Sequence, residues 1–465
     1  MHGYRPKRRG WRVQRLALRA WQREFVMRSL LACKSGQVSE LSDIPERDVI
    51  VRIAAKGDGL TASGRHSPGT APGDVLLLDG TVEPGPHRAV PPCKHFGASR
   101  KKADTGFSPP AMRPSKGACG GCQLQHIDEV SLAGFVSDRV VNAAIALQPE
   151  IVAPPHVSPR GSRRRASLHA ARISGCIALG YREAGSHSIV DLAECPVLVP
   201  ELATMIAPLR KLLAPRAQGK GARLAVDIEM TLAEQGVDLA LKGLSVEGLT
   251  ETEAMLDFAR NHKLARLTLD QGYGAEALWE PEPVSVALSG VSVPLPPGAF
   301  LQATVDGEAV LIDAAVEWLS GAGVVADLFS GLGTFAFALT KAGVKVLAAE
   351  ADRAAHLVCK AAAARAGLPV HTLHRDLFRN PLLPDELNRF GAVLLDPPRA
   401  GAREQVLRLA ASTVPRIVYI SCNPASWARD AALLADAGYR LAELRPVGQF
   451  RWSTHVELAS LFVRD

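Results

Sequence analysis

From about residue 300 onward the apolar positions alternate between two periods. A 3.6-period amphipathic stretch over 305–319 is followed by apolar runs of strand length at 324–329, 344–350, 391–396 and 416–421. Helical patterns at 334–342, 353–366, 402–411 and 425–437 separate these runs. Short buried strands joined by helices of this length predict an α/β, doubly wound, mostly parallel sheet over 298–465. The segments 439–447 and 456–463 read as its last two strands, one of them antiparallel.

Upstream the pattern is less regular. Residues 47–92 alternate apolar and polar positions and turn at Gly57-Asp58-Gly59, which predicts a small β-barrel of short strands. Residues 93–297 read as a central α+β domain, with helical patterns at 131–147 and 201–213 and strand-like runs at 223–231 and 237–242. A polar, Pro-containing stretch between Cys93 and Cys119 reads as a loop. Residues 1–46 form a basic extension, expected to be poorly ordered, and are assigned no function. They are equally compatible with an RNA-touching helix, a transit-like segment, or sequence upstream of a later start at Met27.

Composition refines this picture in two places. The formal charge is +7, but residues 1–35 alone carry ten Lys or Arg against Glu24, so the remaining chain sits near −2. Global basicity is therefore a weak pointer to nucleic acid, and local clusters such as Arg163-Arg164-Arg165 count for more. No uncharged apolar stretch reaches membrane-spanning length, and no secretory h-region is visible, so a cytoplasmic location is expected. In a reducing compartment the eight cysteines suggest metal ligands or catalysis before disulfides.

The chemistry gathers at strand ends. "DLFSGLGTF" (327–335) sets Gly331 and Gly333 between a buried strand and a helix, where backbone amides can approach a ligand. Glu350 ends the next strand about 20 residues on, where a carboxylate can hold both hydroxyls of a ribose. No third glycine follows at dinucleotide spacing, which disfavours a pyrophosphate and favours S-adenosylmethionine. Phe329 either packs its strand or also borders that cofactor. Asp376 and Asp396 should open on the same carboxyl edge. Cys422 ends a further strand in a Ser-Cys-Asn-Pro turn, and His455 and Glu457 precede the last strand.

The stretches "AFLQAT", "DLFSGLGTF", "LLDPPRAG", "ISCNPASWARD" and "HVEL", in that order, resemble the bacterial uracil-5 RNA methyltransferase family. The likeness extends upstream to "KHFG", "CGGCQLQH", "LGYREAGSHSIVDLAECPVL" and the small β-barrel, which is then similar to a TRAM domain. The resemblance implies a class I S-adenosylmethionine-dependent methyltransferase domain, with Cys422 as nucleophile and Glu457 as general base. It places Gln302, Phe329, Gly331, Glu350 and Asp396 around the cofactor, with Asp376 beside them. Thr334 stands where many relatives carry Asn, so its contact can differ.

The residue types suit the chemistry. Carbon 5 of uracil is a poor nucleophile until a thiolate adds at carbon 6 and makes the ring an enolate. A free thiol ionises at about 8.5, so Cys422 needs surroundings that favour its thiolate. His455 has two equal readings, orienting Glu457 or purely structural.

Cys119-Gly-Gly-Cys122 presents two thiols on one turn, and Cys93 and Cys195 supply two more. The resemblance implies a [4Fe–4S] cluster on these four, with zinc as the alternative metal. Here the motif is split by an insertion between Cys93 and Cys119, which loop-closure entropy tolerates. The implied partner is RNA, 23S ribosomal RNA before the T-loop of transfer RNA, acted on by a monomer with no membrane contact. Competing classes are a non-catalytic RNA-binding assembly factor and an amino methyltransferase suggested by "DPPR". The first would not retain Cys422 and Glu457, and the second would not need Cys422.

Overall fold

The computed structural model describes residues 46–95, 119–173, 175–183, 185–217 and 224–464. The expectations for the basic N-terminal extension and for the loop between Cys93 and Cys119 lie outside the described residues.

The C-terminal sheet takes the predicted form. Numbering its strands alone, they are β1 (Val324–Leu328), β2 (Lys345–Glu350), β3 (Val370–His374), β4 (Ala392–Leu395), β5 (Arg416–Ser421), β6 (Arg440–Gly448) and β7 (Glu457–Val463). Their spatial order is β3-β2-β1-β4-β5-β7-β6. Strands β1 to β5 pair in parallel, and β7 runs antiparallel to both neighbours. Two short strands from far upstream, Ile151–Val152 and His156–Val157, continue the sheet beside β6. That extension was not legible as strand because each piece is only two residues long.

The strands read as unbroken apolar runs because both faces are covered. On β5, Ile417 and Tyr419 enter one core while Val418 and Ile420 enter the other. One face carries helices α1 (Val305–Leu319), α2 (Thr334–Lys341) and α3 (Arg353–Arg365). The opposite face carries α4 (Arg403–Ala410), α5 (Pro424–Asp436) and the upstream helix Glu129–Ala143. Each large side chain so buried, such as Phe337 or Trp427, contributes about 1.5–3 kcal/mol. The hairpin Ser285–Leu288 with Val291–Pro294 packs its Val286, Leu288 and Val293 onto the α1–α3 side. Side-chain caps start four of these helices: Asp128 accepts from the Ser131 amide at Glu129–Ala143, Thr304 from Gly307 at α1, Asp352 from Ala355 at α3, and Asn423 from Ala425 at α5.

The central region holds a six-stranded mixed sheet, and its strands Gly236–Lys242 and Arg266–Asp270 pair in parallel across the helix Gly248–Asn261. The N-terminal unit is a five-stranded antiparallel sheet around Arg47–Ile53, bulged between Ile50 and Arg52, in keeping with the small barrel expected. No helix among the described residues is long and apolar enough to cross a membrane.

The strand order reverses between β1 and β4. The crevice at the carboxyl ends of these strands is where an open α/β sheet takes its ligand.

Candidate active site

The turn out of β1 is built by backbone conformations that few residues adopt. Phe329, Gly331 and Gly333 have φ of +64°, +53° and +96°. A Cβ on Gly333 would lie 2.8 Å from the Phe337 ring and 2.9 Å from Cys359 Sγ, so glycine is needed for space as well as for φ. Gly333 caps α2, and Thr334 is that helix's first residue. The Gly331 N–H donates to Glu350 Oε2 at 2.8 Å, while Glu350 Oε1 accepts from Ala351 and Asp352, each at 2.8 Å. Glu350 is thus locked beside the glycine turn at the end of β2. Past β3, Asp376 accepts from the Phe378 amide at 3.0 Å and the Arg379 amide at 3.3 Å. That loop sets the Phe378 ring 5.3 Å from the Phe329 ring, centroid to centroid. Phe329, Glu350 and Asp376 therefore line one end of the crevice. Phe378 was missed in the sequence because a lone aromatic in a loop carries no periodic signal.

At the other end lie Cys422, Glu457 and Asp396. The Ser-Cys-Asn-Pro turn is tied to the "DPPR" loop through one carbonyl: Arg399 O accepts from Asn423 Nδ2 at 3.0 Å and from Ser426 Oγ at 2.9 Å. Cys422 is only partly exposed. Burial pushes its thiol up to about 11; Glu457 and Asp396 add to the rise, and Arg399 opposes it. This corrects the expectation of surroundings that favour the thiolate: the protein by itself disfavours it. Glu457 is buried, and desolvation raises its carboxyl to about 7, against the pull of Gln449 and Arg165. Asp396 is raised well above the carboxylate range by burial, with Glu457 and Asp327 adding to it. The carboxyls at this edge are thus less anionic than their number suggests.

His455 does not take the orienting role. Its Nδ1 lies 3.2 Å from Arg399 Nη2, and burial together with Arg399, Arg163 and Arg139 lowers its pKa. The residue on Glu457 is instead Gln449, which donates to Glu457 Oε2 and, at 2.9 Å, to Gln302 Oε1. Gln302 in turn reaches Asp396 Oδ2 at 3.4 Å. Gln449 was missed because β6 and the last loop gave no sign of which side chain turns inward.

One further group went unread, and another was read only as an undivided cluster. Asp327, within β1, is fully buried and neither carboxylate oxygen makes a well-formed hydrogen bond; burial pushes it up to about 8, Glu350 adding and the nearby Ala336 amide opposing. The signal was an acid inside the apolar run "VVADLF". The Arg163-Arg164-Arg165 cluster also divides in a way its sequence hides. Arg164 is buried and bonds Glu308 at 2.6 Å and Gln302 O at 3.1 Å, so it is not available to phosphates. Arg165 stacks over Phe300 at 4.4 Å and feels the charges of Glu457 and Cys422, which places it at their end of the crevice. Arg163 lies over the rings of Tyr181 and Phe450 at 5.7 and 5.1 Å.

A glycine turn with a locked acid, next to a strand-end cysteine and a buried glutamate, can be compared with known proteins. Residues 374–465 match the family profile described as tRNA (Uracil-5-)-methyltransferase. An uncharacterized RNA methyltransferase of Zymomonas mobilis is 46% identical over 421 residues, spanning 89% of this chain and 99% of that one. The 23S rRNA (uracil(1939)-C(5))-methyltransferase RlmD of Pseudomonas fluorescens is 35% identical over 383 residues, 76% of this chain and 78% of that one. The chain belongs to the RNA uracil-5 methyltransferase family. Its fold matches the crystal structure of Pyrococcus abyssi tRNA (uracil-54, C5)-methyltransferase in complex with S-adenosyl-L-homocysteine. There the TM-score is 0.64 at 23% identity, covering 90% of this chain and all of that one. As a member of this family the protein is an S-adenosylmethionine-dependent enzyme acting on RNA.

In this RNA uracil-5 methyltransferase the four predicted metal ligands, Cys93, Cys119, Cys122 and Cys195, line one small cavity together with Gly121, Gln125, Arg163 and Tyr181. Yet among the described residues no three His, Cys, Asp or Glu side chains are set to hold a metal ion. The four thiols thus share one cavity, but among the described residues they form no metal-binding group. Burial raises Cys119 to about 11 and Cys122 to about 12, and raises Cys195 as well. Four sulfur donors in a desolvated pocket suit a soft metal centre in chemistry. The same segment braces the loop that leads into β7: the Gln123 and Leu124 amides donate to Trp452 O at 2.7 and 2.8 Å.

Proposed function

We propose that the enzyme methylates carbon 5 of a uridine in 23S ribosomal RNA through a transient bond from Cys422 to carbon 6. The observation that carries this reading is the meeting of Cys422, Glu457 and Asp396, each acting electrostatically on another, at the same sheet edge as the glycine turn. In this reading Gly331, Thr334, Glu350 and Asp376 would hold S-adenosylmethionine, Glu350 offering acceptors for ribose hydroxyls and the Phe329 and Phe378 rings an apolar surface. Gln302 and Asp396 border its reactive end. When bound, S-adenosylmethionine supplies the methyl group and a positive charge.

The Cys422 thiolate adds to carbon 6, and the electrons of the 5,6 double bond move onto the carbon 4 oxygen as an enolate. Carbon 5 then takes the methyl group. Glu457 removes the carbon 5 proton, the double bond re-forms, and the bond to Cys422 breaks, returning the thiolate. Arg165 is placed to steady the enolate charge. The target base must be unpaired or flipped out, because a paired base hides carbon 5 in the deep groove of an A-form helix.

Cys93, Cys119, Cys122 and Cys195 are proposed to hold a [4Fe–4S] cluster, with zinc as the alternative. The ribosomal target is supported by the likeness to RlmD. The family profile and the Pyrococcus abyssi structure both carry transfer RNA in their descriptions, which keeps the T-loop as a second reading. Mapping 5-methyluridine in ribosomal and transfer RNA from cells lacking the protein tests this. Loss of one site in 23S RNA supports the first reading, and loss in the T-loop alone overturns it in favour of the second.

A further inference from the structure

We propose that Gln449 is a positioning residue for the methylation reaction, holding Glu457 ionised and fixed for proton removal from carbon 5. This rests on the covalent reading above.

The argument starts from which way the amide points. Gln449 Oε1 lies 3.3 Å from the Thr304 N–H, and a backbone N–H can only donate, so the oxygen of Gln449 faces Thr304. Its NH2 group must then face the other way, where it meets Gln302 Oε1 at 2.9 Å and Glu457 Oε2. Both hydrogens and the oxygen are in use, and the residue is buried at 1% exposure. It is also clamped sterically: a Cβ on Gly307, in the first turn of α1, would come within 2.4 Å of Gln449 Cγ.

Gln449 thus offers Glu457 a hydrogen that has nowhere else to turn. A donor fixed in this way stabilises a carboxylate and not a carboxylic acid. The other charged groups acting around Glu457 are Arg165, from the strand Arg165–Ile173, Asp396, after β4, and Cys422, after β5. Only Arg165 among these favours the ionised form, against full burial. Removing the Gln449 donor should raise the pH at which Glu457 becomes a base. The Gln302–Asp396 contact lies on the far side of Gln449, so the same amide ties the base to the residues bordering the cofactor.

The test is the pH dependence of adduct decay, with full-length enzyme, an unpaired-uridine RNA and S-adenosylmethionine. The covalent protein–RNA species and the methylated product are quantified separately. In Gln449→Met we expect methyl transfer to proceed while adduct decay at pH 7 falls about tenfold, recovering when the pH is raised by about one unit. Gln449→Glu keeps the shape and places two carboxyls on one proton, so its recovery should need a still higher pH. Decay in both variants at the wild-type midpoint overturns the assignment. So does an equal fall in transfer and decay at every pH, which is what a merely structural residue would give. A complete lack of covalent species in Glu457→Gln overturns the covalent reading and this inference together. A covalent species whose decay in Gln449→Met follows wild type overturns the inference alone.

Discussion

Arg164 and Glu308 form a buried ion pair, Nη2 to Oε2 at 2.6 Å, that fastens the entry to the central sheet onto the first turn of α1. Both side chains are under 10% exposed, and the guanidinium is also bonded to the Gln302 carbonyl. The pair therefore sits directly behind Gln302, which is proposed to border the cofactor.

Breaking it should cost stability without weakening RNA contact. Arg164→Met leaves Glu308 buried without its partner, a loss on the order of 3 kcal/mol. We expect a clearly lowered Tm together with an unchanged salt dependence of RNA binding, since Arg164 faces protein. A shallower salt slope with unaltered Tm would return Arg164 to the phosphate-contacting role that its sequence context suggests.

The Cys422 thiol gives a second expectation, with a definite sign. Burial and neighbouring carboxyls raise it to about 11, so below that pH the free enzyme holds mostly thiol. A positive charge nearby favours the thiolate and lowers this value. Alkylation of Cys422, followed by mass spectrometry of its peptide, should have a midpoint far above pH 8.5 in the free enzyme. It should shift down with a cofactor analogue carrying an amine at the sulfonium position, and not with neutral S-adenosylhomocysteine. Equal midpoints with both ligands would show that the cofactor's charge does not activate the nucleophile.

The thiol cavity makes a third. Protein purified without oxygen should carry about four irons per chain if the four cysteines bind a cluster. Cys93→Ser should then lose iron as severely as Cys122→Ser, because both line the same cavity. Zinc in place of iron would favour the alternative metal, and full iron in the Cys93 variant would remove that cysteine from the ligand set.

The parallel sheet was legible because its strands are buried on both faces and its helices follow at regular spacing, as on β5 with Ile417 and Val418 turned to opposite cores. The glycine turn, Glu350 and the Cys422 turn were legible for the same reason: each sits where a strand ends, and strand ends converge. What stayed hidden depends on contacts between distant segments. Gln449 reaches Glu457 across the β6–β7 hairpin, and Arg165 comes from a sheet more than 250 residues upstream of Cys422. Nothing in local periodicity encodes either. Adjacent arginines also look alike in sequence, although one is sealed against Glu308 and its neighbour feels the charges of Glu457 and Cys422.

The most direct measurement of the central claim uses Glu457→Gln. If Glu457 removes the carbon 5 proton, this variant transfers the methyl group but cannot release the product. Incubated with S-adenosylmethionine and a 23S fragment bearing an unpaired uridine, it should accumulate a denaturation-resistant protein–RNA complex containing the new methyl group. Peptide mapping should place the bond on Cys422, and the additional change Cys422→Ala should abolish it. Methylated, freely released RNA from the Glu457→Gln variant, or a stable bond that maps to another residue, would contradict the account.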